Sequence, residues 1–178
     1  MLKISLAAAD STLAAHSTRV TELALSLVRA LDAGEEVEQA IRVGGPLHDV
    51  GKLAVSEEIL RKRGPLDPDE VIEIRKHPVT GAKMLGGIRS LRVGMDCVLH
   101  HHERWDGDGY PYGLAGAAIP IEARIVSVAD AFDAMISDRP YRSAMPREAA
   151  LAEVDRCAGS QFDPKVASAL LTLVGSTS

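Results

Sequence analysis

Apolar residues recur at alternating spacings of three and four along most of the chain, which is the period of helices with one buried face. The pattern predicts helices over 16–31, 36–50, 69–85, 91–102, 121–136, 146–157 and 165–174, of which 69–85 is either one helix or two. Pro78 marks a start or a kink within the third, while Pro146 and Pro164 suit the beginnings of the last two. No segment shows a convincing strand pattern, so we expect an all-α bundle.

Helix-breaking residues cluster in two places. Gly64, Pro65 and Pro68 lie in the first, and residues 106–120 form a long Gly- and Pro-rich stretch between two predicted helices. An ordered loop of this length is often functional in a compact domain. The second stretch is therefore a candidate functional loop.

The composition limits the classes of protein to which the chain can belong. Its 178 residues are 46% hydrophobic and 25% charged with a net charge of −5, which is typical of one globular domain. No apolar run approaches the roughly 20 residues of a membrane span, and the acidic balance argues against binding to polymeric nucleic acid. Cys97 and Cys157 have no CxxC spacing and indicate reduced thiols. We expect a single cytoplasmic domain over 1–178, without a sensor or receiver domain.

The histidines carry the candidate chemistry. His16 lies on the helical stripe of Val20, and His48 on that of Ile41. A lone helix histidine is most often structural. Burying imidazoles on separate helices, however, costs free energy unless they have a partner in the protein interior. Asp49 adjoins His48, so one helical turn is expected to offer nitrogen and oxygen ligands, which suit divalent iron, manganese, zinc or nickel. Spacing alone does not show that ligands on different helices converge.

Several long motifs resemble the HD-GYP group of the HD metal-dependent phosphohydrolases. The segment 48–52, HDVGK, is similar to the HD signature, and the segment 101–111, HHERWDGDGYP, to the HD-GYP hallmark. Shorter matches follow the family order at 16–20, 64–66, 77–81, 119–120, 129–135, 137–142 and 161–164. The resemblance covers nearly the whole chain and implies an HD-domain helical bundle whose long loop carries Gly109-Tyr110-Pro111.

The resemblance also implies a centre of two metal ions, with iron as the expected metal and manganese as the alternative. The implied metal ligands are His16, His48, Asp49, His77, His101, His102 and Asp130. Asp49 would bridge the two ions. Some members hold a third ion with a glutamate where this chain has Thr12, so two ions are expected here.

Further residues receive roles from the resemblance and from their positions. The expected catalytic residues are Asp49, Lys52 and Asp130, and the expected substrate-binding residues are Lys52, Tyr110, Arg139 and Arg142. For Lys52 and for the two arginines, a surface contact at a helix end is the alternative. Asp133 is expected to orient a ligand or a water, or else to pair with an arginine. His100 lies outside the family pattern, and Asp108 replaces a small neutral residue, so it either weakens substrate binding or points to solvent.

The function that follows is a binuclear phosphodiesterase that hydrolyses cyclic di-GMP to pGpG, GMP or both in bacterial second-messenger signalling. Two alternatives stay open. One is a phosphodiesterase of another cyclic dinucleotide. The other is a low-turnover signalling module that binds the dinucleotide or a partner such as a GGDEF-type cyclase.

Overall fold

The computed structural model describes residues 11–62, 64–138 and 143–175, and its regular structure is helical. The α-helices are α1 (Ser11–Leu31), α2 (Glu35–Gly44), α3 (Glu57–Leu60), α4 (Pro68–Ile74), α5 (His77–Leu85), α6 (Met95–His100), α7 (Ile121–Ile136), α8 (Arg147–Arg156) and α9 (Pro164–Gly175). Short 3₁₀ helices cover Gly45–Leu47, Val50–Ala54, Arg89–Gly94 and Gly116–Ala118. The described residues form no strand, only an isolated bridge between Ala158 and Phe162, so the all-α prediction is confirmed.

Two predicted helices are interrupted, and the region 69–85 takes the two-helix form of its prediction. Helix α2 ends at Gly44 because Pro46 has no amide hydrogen to continue the ladder, so the prediction of one helix over 36–50 is wrong. His48 and Asp49 lie between two 3₁₀ helices, not in one α-helical turn. The segment 69–85 is two helices, with Pro78 in the first turn of the second. The segment 91–102 begins as a 3₁₀ helix and continues as the short α6.

The main core lies among α1, α7, α8 and α9. Val20, Leu27, Ile125 and Leu170 have no exposed surface in it, and burying each aliphatic side chain of this size stabilises the fold by roughly 1.5–3 kcal/mol. This packing fixes α1 against α7. None of the described helices combines the length and apolar character needed to cross a bilayer.

A smaller core supports the turn that carries His48 and Asp49. It consists of the buried side chains of Leu47, Val50, Leu85 and Val98. Gly51 lets this turn approach α5 backbone to backbone, because a Cβ at Gly51 would lie only 1.9 Å from the carbonyl oxygen of His77. Two segments with predicted metal ligands are therefore in direct contact.

We expect Gly51→Ala to lower the free energy of unfolding by about 1–3 kcal/mol or more, because the added methyl group overpacks a rigid backbone contact. Gly87→Ala is the matched control, since a Cβ at Gly87 meets no atom within 4 Å. That change should stay within about 0.5 kcal/mol. Urea denaturation followed by circular dichroism measures both, and equal stabilities of the two variants would contradict the close approach.

Candidate metal centre

Six of the seven predicted ligands lie in two groups that share one carboxylate. Within each group the candidate donor atoms all lie within 4.8 Å of one another. One group consists of His16, His48 and Asp49, and the other of Asp49, His77, His101 and His102. Because a carboxylate has two oxygens, Asp49 stands where a bridge between two ions would stand.

Separate parts of the fold supply these side chains. His16 comes from α1, His77 is the first residue of α5, and His101 and His102 directly follow α6. The imidazole rings pack closely, with centroids 5.1 Å apart for His48 and His101 and 5.0 Å apart for His77 and His102. His48, His77 and His101 are at most 1% exposed. The convergence that spacing could not show is therefore present in the fold.

Backbone carbonyls orient three of the imidazoles. The Nδ1 atoms of His48, His77 and His101 each donate to a carbonyl oxygen three or four residues earlier. These carbonyls belong to Gly45, Ile74 and Cys97, at 2.7, 2.7 and 3.0 Å. A donor role for Nδ1 leaves the Nε2 lone pair available for a metal ion, which is the usual arrangement of histidine ligands.

Unpaired atoms and the chemistry of the donors both fit metal ions. Three described buried side-chain atoms have no hydrogen-bond partner, and two of them, His48 Nε2 and Asp49 Oδ1, belong to the cluster, whereas the third is His100 Nδ1. An unsatisfied buried polar atom costs about 1–3 kcal/mol, and coordination would remove that cost. Imidazole nitrogen with carboxylate oxygen suits divalent transition metals. The cluster can therefore hold metal ions.

The charge states of the ligands also suit coordination. Burial alone raises the pKa of Asp49, but Lys52 and the surrounding imidazoles outweigh it and hold that pKa well below its usual range. Burial, together with the neighbouring imidazoles, lowers the pKa of His101 and of His102. The carboxylate is therefore ionised and these two imidazoles are neutral, as metal ligands must be.

His16 is oriented by a side chain instead of a carbonyl. Its Nδ1 lies 2.7 Å from Oδ2 of Asp133, and Arg19 Nε donates to Oδ1 of the same carboxylate at 2.6 Å. Both roles considered for Asp133 thus occur together: it orients a predicted ligand and pairs with an arginine. Asp130 belongs to neither ligand group, but its Oδ1 lies 3.1 Å from His16 Nε2. Its role as a ligand stays a prediction.

The other predicted site residues have different outcomes. Lys52 Nζ donates to Asp49 Oδ2 at 2.6 Å, so it faces the centre as expected. The Tyr110 ring stacks on that of His102, with centroids 4.8 Å apart. Asp108 is exposed, in keeping with the solvent-facing alternative. Arg139, Arg142 and the side chain of Thr12 lie outside the described residues.

Glu103 is a functional candidate that the sequence reasoning named only as part of a motif. Its buried carboxylate accepts hydrogen bonds from the backbone amides of Tyr112 and Leu114, at 2.8 and 3.1 Å. Gly109 packs against the same segment, because a Cβ there would lie 2.3 Å from the amide nitrogen of Arg104. Glu103 therefore anchors the loop that carries Tyr110. An acidic residue at a helix end before a Gly-rich loop was the available signal.

Comparison with known proteins agrees with this geometry. A family model described as HD domain matches residues 1–166. The chain belongs to the HD-domain family. The resemblance to the HD-GYP phosphohydrolases that the motifs indicated is confirmed by the family model and by relatives named as cyclic di-GMP phosphodiesterases.

Two curated relatives and one solved structure illustrate the similarity. The cyclic di-GMP phosphodiesterase response regulator RpfG of Xanthomonas campestris is 44% identical over 164 residues, covering 91% of this chain and 43% of the relative. The 3'3'-cGAMP-specific phosphodiesterase 1 of Vibrio cholerae is 41% identical over 130 residues, covering 73% of this chain and 30% of the relative. This chain thus spans less than half the length of either. Bd1817 of Bdellovibrio bacteriovorus, described as an HDG"Y"P protein, shares the fold with a TM-score of 0.75 at 20% identity, covering 92% of this chain and 52% of Bd1817.

Metal binding should depend on pH through His16. Burial lowers the pKa of His16, but hydrogen bonds to Asp130 and Asp133 outweigh it and raise the pKa to about 9. The imidazole of the metal-free protein is therefore protonated at neutral pH, and binding must release that proton. We expect manganese affinity to rise between about pH 6.5 and 9, measured by calorimetric titration of the metal-free protein.

The variant Asp133→Asn tests whether the hydrogen bond to Asp133 raises the pKa of His16. It removes a carboxylate that holds the proton, so the pH dependence should flatten, whereas Asp155→Asn on the exposed face of α8 should leave it unchanged. A raised histidine pKa also stabilises the metal-free fold below about pH 6.5, and this contribution is lost as the pH rises through about 9. A wild-type affinity that is constant over this range would contradict the protonated His16.

Proposed function

We propose that this chain is a metal-dependent phosphodiesterase domain that hydrolyses cyclic di-GMP to pGpG, GMP or both. The observation that carries the proposal is the pair of ligand groups that share Asp49. An HD-domain relative named as a cyclic di-GMP phosphodiesterase is 44% identical over 91% of this chain, which supports the substrate. The only reactants are then water and the cyclic dinucleotide, with the metal ions as cofactors.

We propose iron at both positions, with manganese as the alternative, since both accept nitrogen and carboxylate ligands. When bound, two such ions neutralise phosphate oxygens and lower the pKa of a nearby water towards neutrality. The chain's residues prepare the centre for this role. Asp49 supplies a shared, ionised carboxylate, and His16 holds the pKa of Asp130 below its usual range although burial raises it. Both carboxylates therefore stay ionised and available.

Lys52 and Tyr110 are the described residues that we propose for contact with the substrate. The ammonium of Lys52 bonds to Asp49 and remains 27% exposed, so its other hydrogens can be donated to a phosphate oxygen. Burial raises the pKa of Tyr110, so the hydroxyl stays protonated and can donate as well. Arg139 and Arg142 stay proposed phosphate ligands from the sequence.

A second candidate substrate is a cyclic dinucleotide that contains adenine. The relative named as 3'3'-cGAMP-specific is 41% identical, nearly as similar as the cyclic di-GMP phosphodiesterase at 44%. Overall sequence identity thus does not discriminate between cyclic di-GMP and a cyclic dinucleotide that contains adenine. A low-turnover binding role, a GGDEF-type partner and a cytoplasmic location stay predictions.

Turnover is the direct test. We expect the protein, loaded with ferrous iron or manganese without oxygen, to convert cyclic di-GMP to pGpG or GMP, as followed by chromatography and metal analysis. Faster cleavage of 3'3'-cGAMP than of cyclic di-GMP would favour the second substrate. No linear product from any cyclic dinucleotide at full metal content would overturn the proposal.

Asp49→Ala links the activity to the shared carboxylate. We expect loss of both ions and at least a hundredfold loss of activity, because even outer residues of metal sites contribute about 10–100-fold. Asp155→Ala removes an equal charge from exposed α8 and should change neither quantity. Full metal content in Asp49→Ala would contradict the bridging position.

A further inference from the structure

A cation that the proposed mechanism does not use lies at the rim of the metal centre. Arg75 is exposed, directly follows α4 and precedes His77 by two residues. Its guanidinium carbon lies 5.2 Å from the centroid of the Tyr110 ring. The Tyr110 ring in turn stacks on the predicted ligand His102, at an interplanar angle of 23°. One aromatic ring thus separates Arg75 from the centre.

The charge of Arg75 differs from that of neighbouring cations because no carboxylate balances it. Lys52 pairs with Asp49, and Lys76 pairs with Glu73. Among residues 11–62, 64–138 and 143–175, the Arg75 side chain forms no hydrogen bond and no ion pair. The described contact is with the face of an aromatic ring. Such a contact leaves the in-plane N–H groups of a guanidinium free to donate.

A cyclic dinucleotide presents two phosphodiesters in a single small ring. When one of them lies at the metal ligands, the other must lie close by, beside the centre. An arginine matches such a group well, because its planar fork donates two parallel hydrogen bonds to a phosphate. We propose that Arg75 binds the phosphodiester of the cyclic dinucleotide that is not being cleaved.

This role rests on the proposed function and adds to it a residue that determines affinity for the substrate. It also explains why the guanidinium is held over Tyr110 yet remains exposed: the ring fixes the direction of the fork and leaves its edge for the ligand. The alternative is that Arg75 only packs against Tyr110. A substrate with a single phosphodiester separates the two roles. Loss of packing would impair its hydrolysis as much as that of the cyclic dinucleotide, whereas loss of a phosphate ligand would impair only the cyclic dinucleotide.

The test compares Arg75→Met, Arg75→Lys and the matched control Arg92→Met, which removes the same charge from the exposed 3₁₀ helix Arg89–Gly94. The probes are cyclic di-GMP, its hydrolysis-resistant phosphorothioate analogue for equilibrium binding, and bis(4-nitrophenyl) phosphate, which has one phosphodiester. We expect Arg75→Met to raise KM for cyclic di-GMP and Kd for the analogue by about tenfold or more, the usual effect of a lost charge-assisted hydrogen bond. Metal content, kcat and hydrolysis of the single phosphodiester should stay unchanged.

Arg75→Lys should show an intermediate Kd, because it keeps the charge and loses the fork, and Arg92→Met should resemble the wild type. An unchanged Kd in Arg75→Met overturns the proposal. An equal loss for both phosphodiesters, or a loss of metal, overturns it in favour of packing. If the wild type binds the analogue but does not cleave cyclic di-GMP, the proposed function fails while the Kd values still decide the role of Arg75. No binding by the wild type contradicts both.

Discussion

The structure depends on keeping one buried carboxylate ionised. Asp49 is 3% exposed, and an unpaired charge at such a depth would cost several kcal/mol. Lys52 and the packed imidazoles offset that cost, and the imidazole of His77 reaches Asp49 because Gly51 allows its turn to touch α5. The same contact that stabilises the charge therefore brings together the atoms that can hold metal ions. Fold and site share one set of interactions.

The candidate histidine ligands are oriented by two different means. His48, His77 and His101 are oriented by carbonyls within four residues of each ring, so their directions follow from local backbone geometry. His16 depends instead on Asp133, which is 117 positions away in sequence. Its orientation is therefore linked to the packing of α1 on α7. A disturbance of the main core would therefore change the orientation of His16 before that of His48, His77 or His101.

This difference explains how much the sequence could predict. Periodicity correctly predicted an all-α fold and the 121–136 helix, because an apolar stripe is a local property of a helix. It failed over 36–50, because Pro46 ends the α-helix and the chain forms 3₁₀ helices before and after His48 and Asp49. The carbonyl contacts, the Arg19–Asp133 pair and the anchoring of the loop by Glu103 are tertiary contacts or depend on turn geometry. Family motifs could indicate which residues meet, but not how each is held.

The distribution of charge matters more than its sum. A net charge of −5 argues against a polyanionic partner, yet the proposed substrate, a cyclic dinucleotide, carries only two phosphates. The acidic side chains of the centre are already paired within the site: Asp49 with Lys52, Asp130 with His16, and Asp133 with Arg19. Bound cations would add positive charge to a site whose carboxylates are balanced. The local field would then attract an anion although the chain as a whole is acidic.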